Sequence, residues 1–569
     1  MISFFGDPES KVFALETNDK LDNFSIEKLN WVLNAPFLKE QIIKNNFIGP
    51  KSTMISPWST NAVEIINNMG IESLIRIEEF ICIKDDDTFD IMIQEKYKSL
   101  GPDIFKNYKT PDKQILIHDI NEYNKNEGLA LDQNEVDYLN DLSKKLNRQL
   151  TDSEVYGFSQ VNSEHCRHKI FNGRFIIDNK EKEKSLFDLI KLTSKKNKNS
   201  IVSAYSDNVA FIKGPKISLF YPEKAVTSSY YTKKNIDSII SLKAETHNFP
   251  TTVEPYNGAA TGSGGEIRDR LAGGIGSIPL IGTAVYMTPY SRLNKENLWE
   301  DKFKGREWKY QTPSEILIKA SNGASDFGNC FGQPLICGSL LTFEHSEKDH
   351  RLGYDKVIML AGGVGFGEAK QSHKKIPQKG DLIVMLGGDN YRIGMGGASV
   401  SSTDTGNYDN SIELNAVQRS NPEMQKRVTN TIRALFESEE NPIISIHDHG
   451  AGGHLNCFSE LVESTGGEIY IDKLPLGDPS LSYKEIIGNE SQERIGIIIK
   501  ESDYEIVEKI ANRERSPIYI VGKVTNDKKF RVLDREENIE SIDLNLNSCL
   551  LYTSPSPRDR TRSRMPSSA

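Results

Sequence analysis

Apolar residues along the chain follow two periods, and the changes between them divide it into elements. Short apolar runs mark strands at KVFALET (residues 11–17), at NVAFIKG running on through ISLF (208–220) and at IYIVGKV (518–524). Helical spacing appears at NAVEIINNMG (61–70), after the turn-rich ISPWST, and in residues 129–150, where Val136, Leu139 and Leu142 fall on one side. The highly charged stretch 181–200 predicts a surface helix and loop. Residues 273–288 predict turns and a buried strand, and 313–343 a helix, a loop and a strand. In residues 422–436 Met424, Val428, Ile432 and Leu435 share a helix face. IISIHDHGAGG (443–453) predicts a strand ending in an acid, NCFSELVESTG a helix with a glycine stop, IGIIIK a strand and 502–514 a helix.

At 569 residues the chain exceeds a single core and predicts several domains. A formal charge of −10 argues against a general nucleic-acid binder. No apolar run reaches membrane-helix length, and the start MISFFGDPESK lacks the pattern of a signal peptide. The six cysteines show no CxxC spacing, so a reducing, cytoplasmic setting without structural zinc is expected.

Candidate chemistry gathers in residues 243–269, KAETHNFPTTVEPYNGAATGSGGEIRD. Glu245, His247 and Asn248 precede a glycine-rich run, expected to be a turn, that closes on Glu266, Arg268 and Asp269. Such glycines let backbone amides approach phosphate, flanking carboxylates suit Mg²⁺, and a histidine can move a proton. A tight strand–helix connection is the plain alternative. The run matches neither the Walker loop nor Gly-x-Gly-x-x-Gly, where Ile267 takes the last glycine's place. A second stretch, SQVNSEHCRHKIFNGRF (159–175), packs His165, Cys166, Arg167, His168 and Lys169 together. Zinc or a Cys166 nucleophile is conceivable there, and a helix start with a solvated basic face is the default. Asn322 to Gln333 reads as a substrate-facing loop or a glycine-permitted crossing. Gly394, Gly396 and Gly397, followed by Ser399, Ser401 and Ser402, read as a phosphate-facing run or a βα turn. Asp448, at a strand end before glycines, is a candidate Mg²⁺ ligand; His447 and His449 are expected to be its neighbours rather than ligands.

The 243–269 window, SEHCRHK, HDHGAGG and NESQER (489–494) occur in an order that resembles phosphoribosylformylglycinamidine synthase in its large amidotransferase form. The resemblance implies an α/β (α+β) chain: an N-terminal domain (1–128), a helical linker carrying SEHCRHK (129–180), then one half of a pseudo-symmetric synthetase with two α/β lobes (181–350 and 351–540). It implies ATP-dependent conversion of formylglycinamide ribonucleotide to the amidine, with ammonia drawn from glutamine by a domain this chain lacks, in purine synthesis. His165 and His247 would be catalytic, His247 as the proton acceptor and His165 stabilising a charged intermediate. ATP would lie on Lys243 and the backbone of Gly258, Ala259, Ala260, Thr261, Gly262, Ser263, Gly264, Gly265, Glu266, Ile267, Arg268 and Asp269. Thr246, Asn248, Phe249, Arg268, Gln418, Glu490, Ser491 and Gln492 would hold the substrate, and Glu245, Asp269 and Asp448 would hold Mg²⁺. In small relatives a nucleotide-contacting tyrosine stands three residues beyond the SEHC histidine; here His168 does. Rival expectations are a related synthetase with another substrate, or a non-catalytic ATP-binding half. The Ser-, Pro- and Arg-rich stretch 548–569 has no apolar period and is expected to be foreign sequence.

Overall fold

The apolar run at 11–17 is strand β2 (Lys11–Thr17), which pairs antiparallel with β1 (Ile2–Asp7), Phe4 opposite Ala14 and Phe5 opposite Phe13. Neighbouring phenylalanines on one strand point to opposite faces, so both faces need cover. The computed structural model describes residues 1–550 apart from 84–88, 108, 164, 166, 167, 294–296, 349, 404, 407 and 492, and apart from the side chains of residues 168 and 169. With α1 (Asn23–Leu33), β3 (Phe37–Leu38), β4 (Ile43–Pro50), α2 (Pro57–Asn68), β5 (Leu74–Cys82) and β6 (Gln94–Leu100), the first strands form a six-stranded sheet ordered β3-β1-β2-β5-β4-β6. Phe5, Phe13, Leu15, Leu29, Ile66 and Ile77 bury together with the two helices on one face. Phe4, Val12, Phe47, Phe80 and Leu100 bury on the other. Ser56 caps α2 by accepting from the Ser59 amide, and Pro57 presets its first turn. This unit comprises residues 1–112 with 389–391 and 475–482, so residues 113–128 group with the remainder of the chain.

The second unit begins with β7 (Leu116–Ile117), α3 (Ile120–Glu127), α4 (Gln133–Leu146), β8 (Leu150–Thr151) and α5 (Asp152–Val161). Helix α4 is the one expected in 129–150. Asp132 and Glu135 form its capping box, and Val136, Leu139 and Leu142 are buried. Every residue of α5 is buried. After α6 (His168–Asn172) and the short pair β9 (Ile176–Ile177) and β10 (Lys180–Glu181), α7 (Leu186–Lys196) buries nothing, as its charge predicts.

The first sheet of this unit joins β11 (Ile201–Ser203), β12 (Ala210–Pro222), β13 (Tyr231–Thr246), β14 (Ile278–Thr288), β15 (Leu335–Thr342) and, beyond the hairpin β16 (Glu344–Glu347) and β17 (His350–Gly353), β18 (Ile358–Glu368). Its order is β11-β12-β13-β18-β14-β15, with β14 and β15 parallel. Between β13 and β14 run α8 (Asn248–Val253) and α9 (Pro255–Leu271), and α10 (Pro313–Phe331) precedes β15. The glycine-rich run expected to be a turn is therefore the body of helix α9. Glycine weakens a helix by about 1 kcal/mol relative to alanine, and that loss is offset by burial, since nearly the whole of α9 is enclosed. The stretch 322–333 is mostly helix α10 rather than a loop, and the glycine-permitted crossing holds: a Cβ on Gly323 would lie 2.0 Å from the Tyr256 carbonyl oxygen of α9.

The second sheet takes β19 (Leu382–Gly387), β20 (Ser445–Asp448), β21 (Gly467–Tyr470), β22 (Arg494–Ile499), β23 (Ile518–Val524), β24 (Lys529–Asp534) and β25 (Ile539–Asn545), ordered β20-β22-β19-β23-β21-β24-β25. The connections carry α11 (Gly397–Val400), α12 (Asn410–Asn415), α13 (Pro422–Glu437), α14 (Gly453–Leu461), α15 (Tyr483–Ile487) and α16 (Tyr504–Arg513). Strands β19 and β22 are buried along their whole length, which calls for cover on both faces. Val428, Ile432 and Leu435 of α13 and Val507 and Ile510 of α16 supply it on one face, while Met424 stays half-buried. Helix α17 (Leu546–Cys549) ends the described chain. Tyr138 donates to the Ser548 carbonyl at 3.2 Å, Asn162 donates to the Cys549 carbonyl at 2.6 Å, and Cys549 and Leu550 are buried. Of the stretch 548–569 expected to be foreign sequence, residues 548–550 pack against the linker, and residues 551–569 lie outside the described residues. Among the described residues no helix is long and apolar enough to cross a membrane.

The α9–α10 crossing gives a paired test. Gly323→Ala drives a methyl group into backbone and should cost about 1–3 kcal/mol in urea unfolding. Gly265→Ala, whose nearest neighbour would lie 3.6 Å away, should be neutral or stabilising by up to about 1 kcal/mol.

Candidate active site

Strand alternation places Lys243 and Glu245 on one face at the end of β13, and α9 folds back to bring Asp269 to them. The Lys243 ammonium spans Glu245 at 3.0 Å and Asp269 at 2.8 Å. Asp448 arrives from the end of β20. Asn208 Nδ2 donates to Asp448 at 3.1 Å and to Asp269 at 3.3 Å, and the two carboxyl groups are within hydrogen-bonding reach of each other. Burial, helped by the charges of Asp448 and Glu245, lifts Asp269 well above the usual carboxylate range. Burial pushes Asp448 the same way, but His447, Arg268 and Lys243 outweigh it and hold Asp448 low. Of the two neighbouring carboxyl groups Asp269 is thus the weaker acid and Asp448 the stronger.

His447 faces acceptors on both ring nitrogens, the Asp448 carbonyl at 2.8 Å and the Glu460 carboxylate at 2.7 Å. Both nitrogens must carry hydrogen. Although burial opposes the charge, Glu460 keeps His447 protonated well above its ordinary range. That makes His447 a support for Asp448. His449 and His454 are buried one behind the other, 3.0 Å apart between ring nitrogens.

The two expected catalytic histidines join this group. His247 Nδ1 donates to the Gly258 carbonyl, and burial lowers its pKa to about 4, so Nε2 is left as an acceptor. A Cβ on Gly262 would approach His247 Cβ to 2.9 Å, so α9 lies directly against the ring. His165 Nδ1 lies 2.9 Å from Ser401 Oγ. Burial shifts His165 downward against the pull of Glu245, whose charge couples to both histidines.

Other expected residues have different surroundings. Residues 258–269 lie inside a helix, where amides donate to the helix's own carbonyls, as Gly258 does to Glu254 at 2.7 Å. The expected cradle of free backbone amides is corrected accordingly. Glu266 takes bonds from Arg270 Nε at 2.8 Å and Gln333 at 2.6 Å, and burial raises it to about 7. Ala259 packs in one apolar cluster, and Ala260 and Ile267 in another with Phe327. Thr261 donates to the Asn257 carbonyl, and Ser263 is buried without a partner. Arg268 is fully buried and donates to Gln425 at 2.9 Å, with Asp448 and Glu493 nearby. Thr246 is exposed, Asn248 accepts from the Met359 amide at 3.1 Å, and Phe249 is core among Val253, Val400 and Val417. NESQER is no exposed loop. Glu490 is buried and accepts from the Ala398 and Gly452 amides at 2.9 Å each, with Gln418 bonded to it, and burial lifts it to about 7. Ser491 donates from its amide to Asn489. Gln492, Cys166 and Arg167 lie outside the described residues, as does the side chain of His168.

Two adjacent carboxyl groups fit a divalent cation with oxygen ligands such as Mg²⁺, so Asp269 and Asp448 suit one. Glu245 meets Asp269 through the Lys243 ammonium, and among the described residues no three His, Cys, Asp or Glu side chains are close enough to hold a metal ion. Sequence reasoning named Ser401 only within the glycine–serine run, and it missed Asn208 and the Lys356 ammonium, which donates to the carbonyls of Ser401 and Thr403. Asn208 and Lys356 are lone polar residues with no motif to flag them.

Three family models match the chain: formylglycinamide ribonucleotide amidotransferase N-terminal (residues 10–98), the linker domain of the same family (120–169), and AIR synthase related protein, C-terminal domain (378–535). A phosphoribosylformylglycinamidine synthase of Dictyostelium discoideum is 36% identical over 544 residues, 91% of this chain and 40% of that protein. The chain thus spans well under half the length of that curated relative. A Thermotoga maritima PurL structure complexed with FGAR is similar with a TM-score of 0.52 and 24% identity, over 73% of this chain and 56% of that one. That likeness shows the fold alone.

Glu490 supplies a pH test. Its folded pKa of about 7 lies above the unfolded value of 4.5, so the protein binds the proton more tightly when folded. The stability it contributes is complete below about pH 4.5 and is lost as pH rises through about 7. Glu490→Gln should therefore gain on the parent by up to about 3 kcal/mol in unfolding free energy between pH 5 and pH 8; a pH-independent difference would contradict the assignment.

Proposed function

We propose that this chain, which belongs to the formylglycinamide ribonucleotide amidotransferase family, forms an ATP- and substrate-binding part of the ligase that converts formylglycinamide ribonucleotide to formylglycinamidine ribonucleotide. The observation that carries this reading is the meeting of three distant motifs. His165 from the linker, Lys243, Glu245, His247, Arg268 and Asp269 from the first lobe, and Asp448 from the second couple within one charged cluster.

In the proposed reaction the amide oxygen of the substrate attacks the γ-phosphorus of ATP and releases ADP. Ammonia then adds to the activated carbon, phosphate leaves with the oxygen, and a proton is lost from nitrogen. Phosphoryl transfer of this kind depends on positioning and charge neutralisation. Lys243 and Arg268 supply fixed positive charge beside the carboxylates. His247 Nε2, unprotonated, is suited to accept the proton from the adding ammonia. His165 would stabilise the cationic adduct. Mg²⁺ held by Asp269 and Asp448, with Glu245 as the further candidate, would neutralise phosphate charge. Ammonia would come from glutamine through a domain outside this chain. The free cysteines among the described residues favour a reducing, cytoplasmic setting.

Calorimetric titration with MgATP, followed by ADP release in the presence of ammonium and formylglycinamide ribonucleotide, tests the proposal. Binding is expected, with ADP release requiring both ammonium and the ribonucleotide. His247→Gln should cut turnover by about 10²- to 10⁴-fold while leaving ATP affinity in place. ATP binding without ammonium-dependent ADP release would favour a non-catalytic half-module, and absence of ATP binding would overturn the reading.

A further inference from the structure

His165 is oriented by one partner whose own hydrogen is already committed. Ser401 follows α11, and its hydroxyl donates to the Ala398 carbonyl one turn back at 3.2 Å. The same carbonyl takes the Ser402 hydroxyl at 3.0 Å, within the capacity of its two lone pairs. A hydroxyl has a single hydrogen, so with it on the Ala398 carbonyl the Ser401 oxygen, 2.9 Å from His165 Nδ1, is placed to accept from that nitrogen. We propose that Ser401 is a positioning residue for His165, holding its ring as the Nδ1–H tautomer with Nε2 unprotonated toward the site.

The surroundings of Ser401 are built to keep it there. The Lys356 ammonium clamps the carbonyls of Ser401 and Thr403 at 3.0 and 3.2 Å. At the other end of α11, Glu490 accepts from the Ala398 amide, and Gln160 of α5 bonds both the amide and the hydroxyl of Ser399. A four-residue helix with little stability of its own is thus fixed at both ends, and NESQER reaches His165 through α11. His247 is held the same way, its Nδ1 on the Gly258 carbonyl. Both rings then present the same kind of nitrogen, a lone pair that can accept hydrogen from an adding amine.

This inference deepens the proposed function and rests on it for the meaning of the lone pair, while the tautomer itself does not. The full chain labelled with ¹⁵N-histidine reports each ring nitrogen by long-range proton–nitrogen correlation, and loss of a signal in His165→Gln assigns the residue. The unaltered chain is expected to show protonated Nδ1 and bare Nε2 at His165. Ser401→Ala should move the ring toward the Nε2–H form, and Ser401→Thr, which keeps the hydroxyl, should restore Nδ1–H. In the ammonium-dependent assay Ser401→Ala should lower kcat about tenfold with KM for ATP unchanged. Protonated Nε2 in the unaltered chain overturns the inference whether or not Ser401→Ala folds, and so does a folded Ser401→Ala with unchanged tautomer. A chain without turnover would count against the proposed function and leave the tautomer measurement decisive for Ser401.

Discussion

An ammonium enclosed among carboxyl groups is the constraint on which the site depends. Lys243 cannot be buried at the end of β13 unless negative charge comes to it, and Glu245 and Asp269 supply that charge at hydrogen-bonding distance. Asp269 reaches Lys243 because α9 lies close against the sheet, and α9 can lie there because its surface is built from glycine, alanine, serine and threonine. The chemistry of the cluster and the composition of the helix are one arrangement. Burial and the added negative charge of Asp448 together raise Asp269 above the usual carboxylate range.

Much of this was legible in the sequence, and the failures have physical reasons. The strand at 11–17 was readable because its apolar run is buried on both faces, and the linker stripe Val136, Leu139 and Leu142 because one face of α4 is buried and the other is not. The strand ending at Asp448 was legible because an acid before glycines breaks an apolar run. The glycine-rich stretch was misread as a turn because glycine signals two opposite things, a backbone that bends and a backbone that another approaches closely. Only the partner surface tells them apart, and Pro250, His247 and Phe327, against which these glycines pack, are not nearby in an order that composition reveals. Asn208 carries no periodicity and no motif, and the glycine–serine run that holds Ser401 does not single it out. Their roles arise from what folding places opposite them.

The NESQER segment shows how a motif can serve the site indirectly. Its polarity suggested exposure, yet Glu490 is buried and spends its oxygen on two backbone amides, from Ala398 and Gly452. These come from the loops after β19 and β20, so one carboxyl group fixes both loops that frame the second lobe's contribution. Such a group is costly to bury, and its raised pKa is the trace of that cost.

Asp269 lies on helix α9 and Asp448 at the end of β20 in the second sheet of the same unit, and β20 is held in place by β22, which follows it in the chain. During synthesis, Asp269 leaves the ribosome well before Asp448, and β22 later still. The pair cannot form on a partly made chain, however complete the first lobe is. Maturation of the cluster is therefore a late, cooperative event, and any affinity that depends on it switches on only after the second sheet has closed. A ligand of that cluster would act as a chaperone for the finished unit and be indifferent to its precursors.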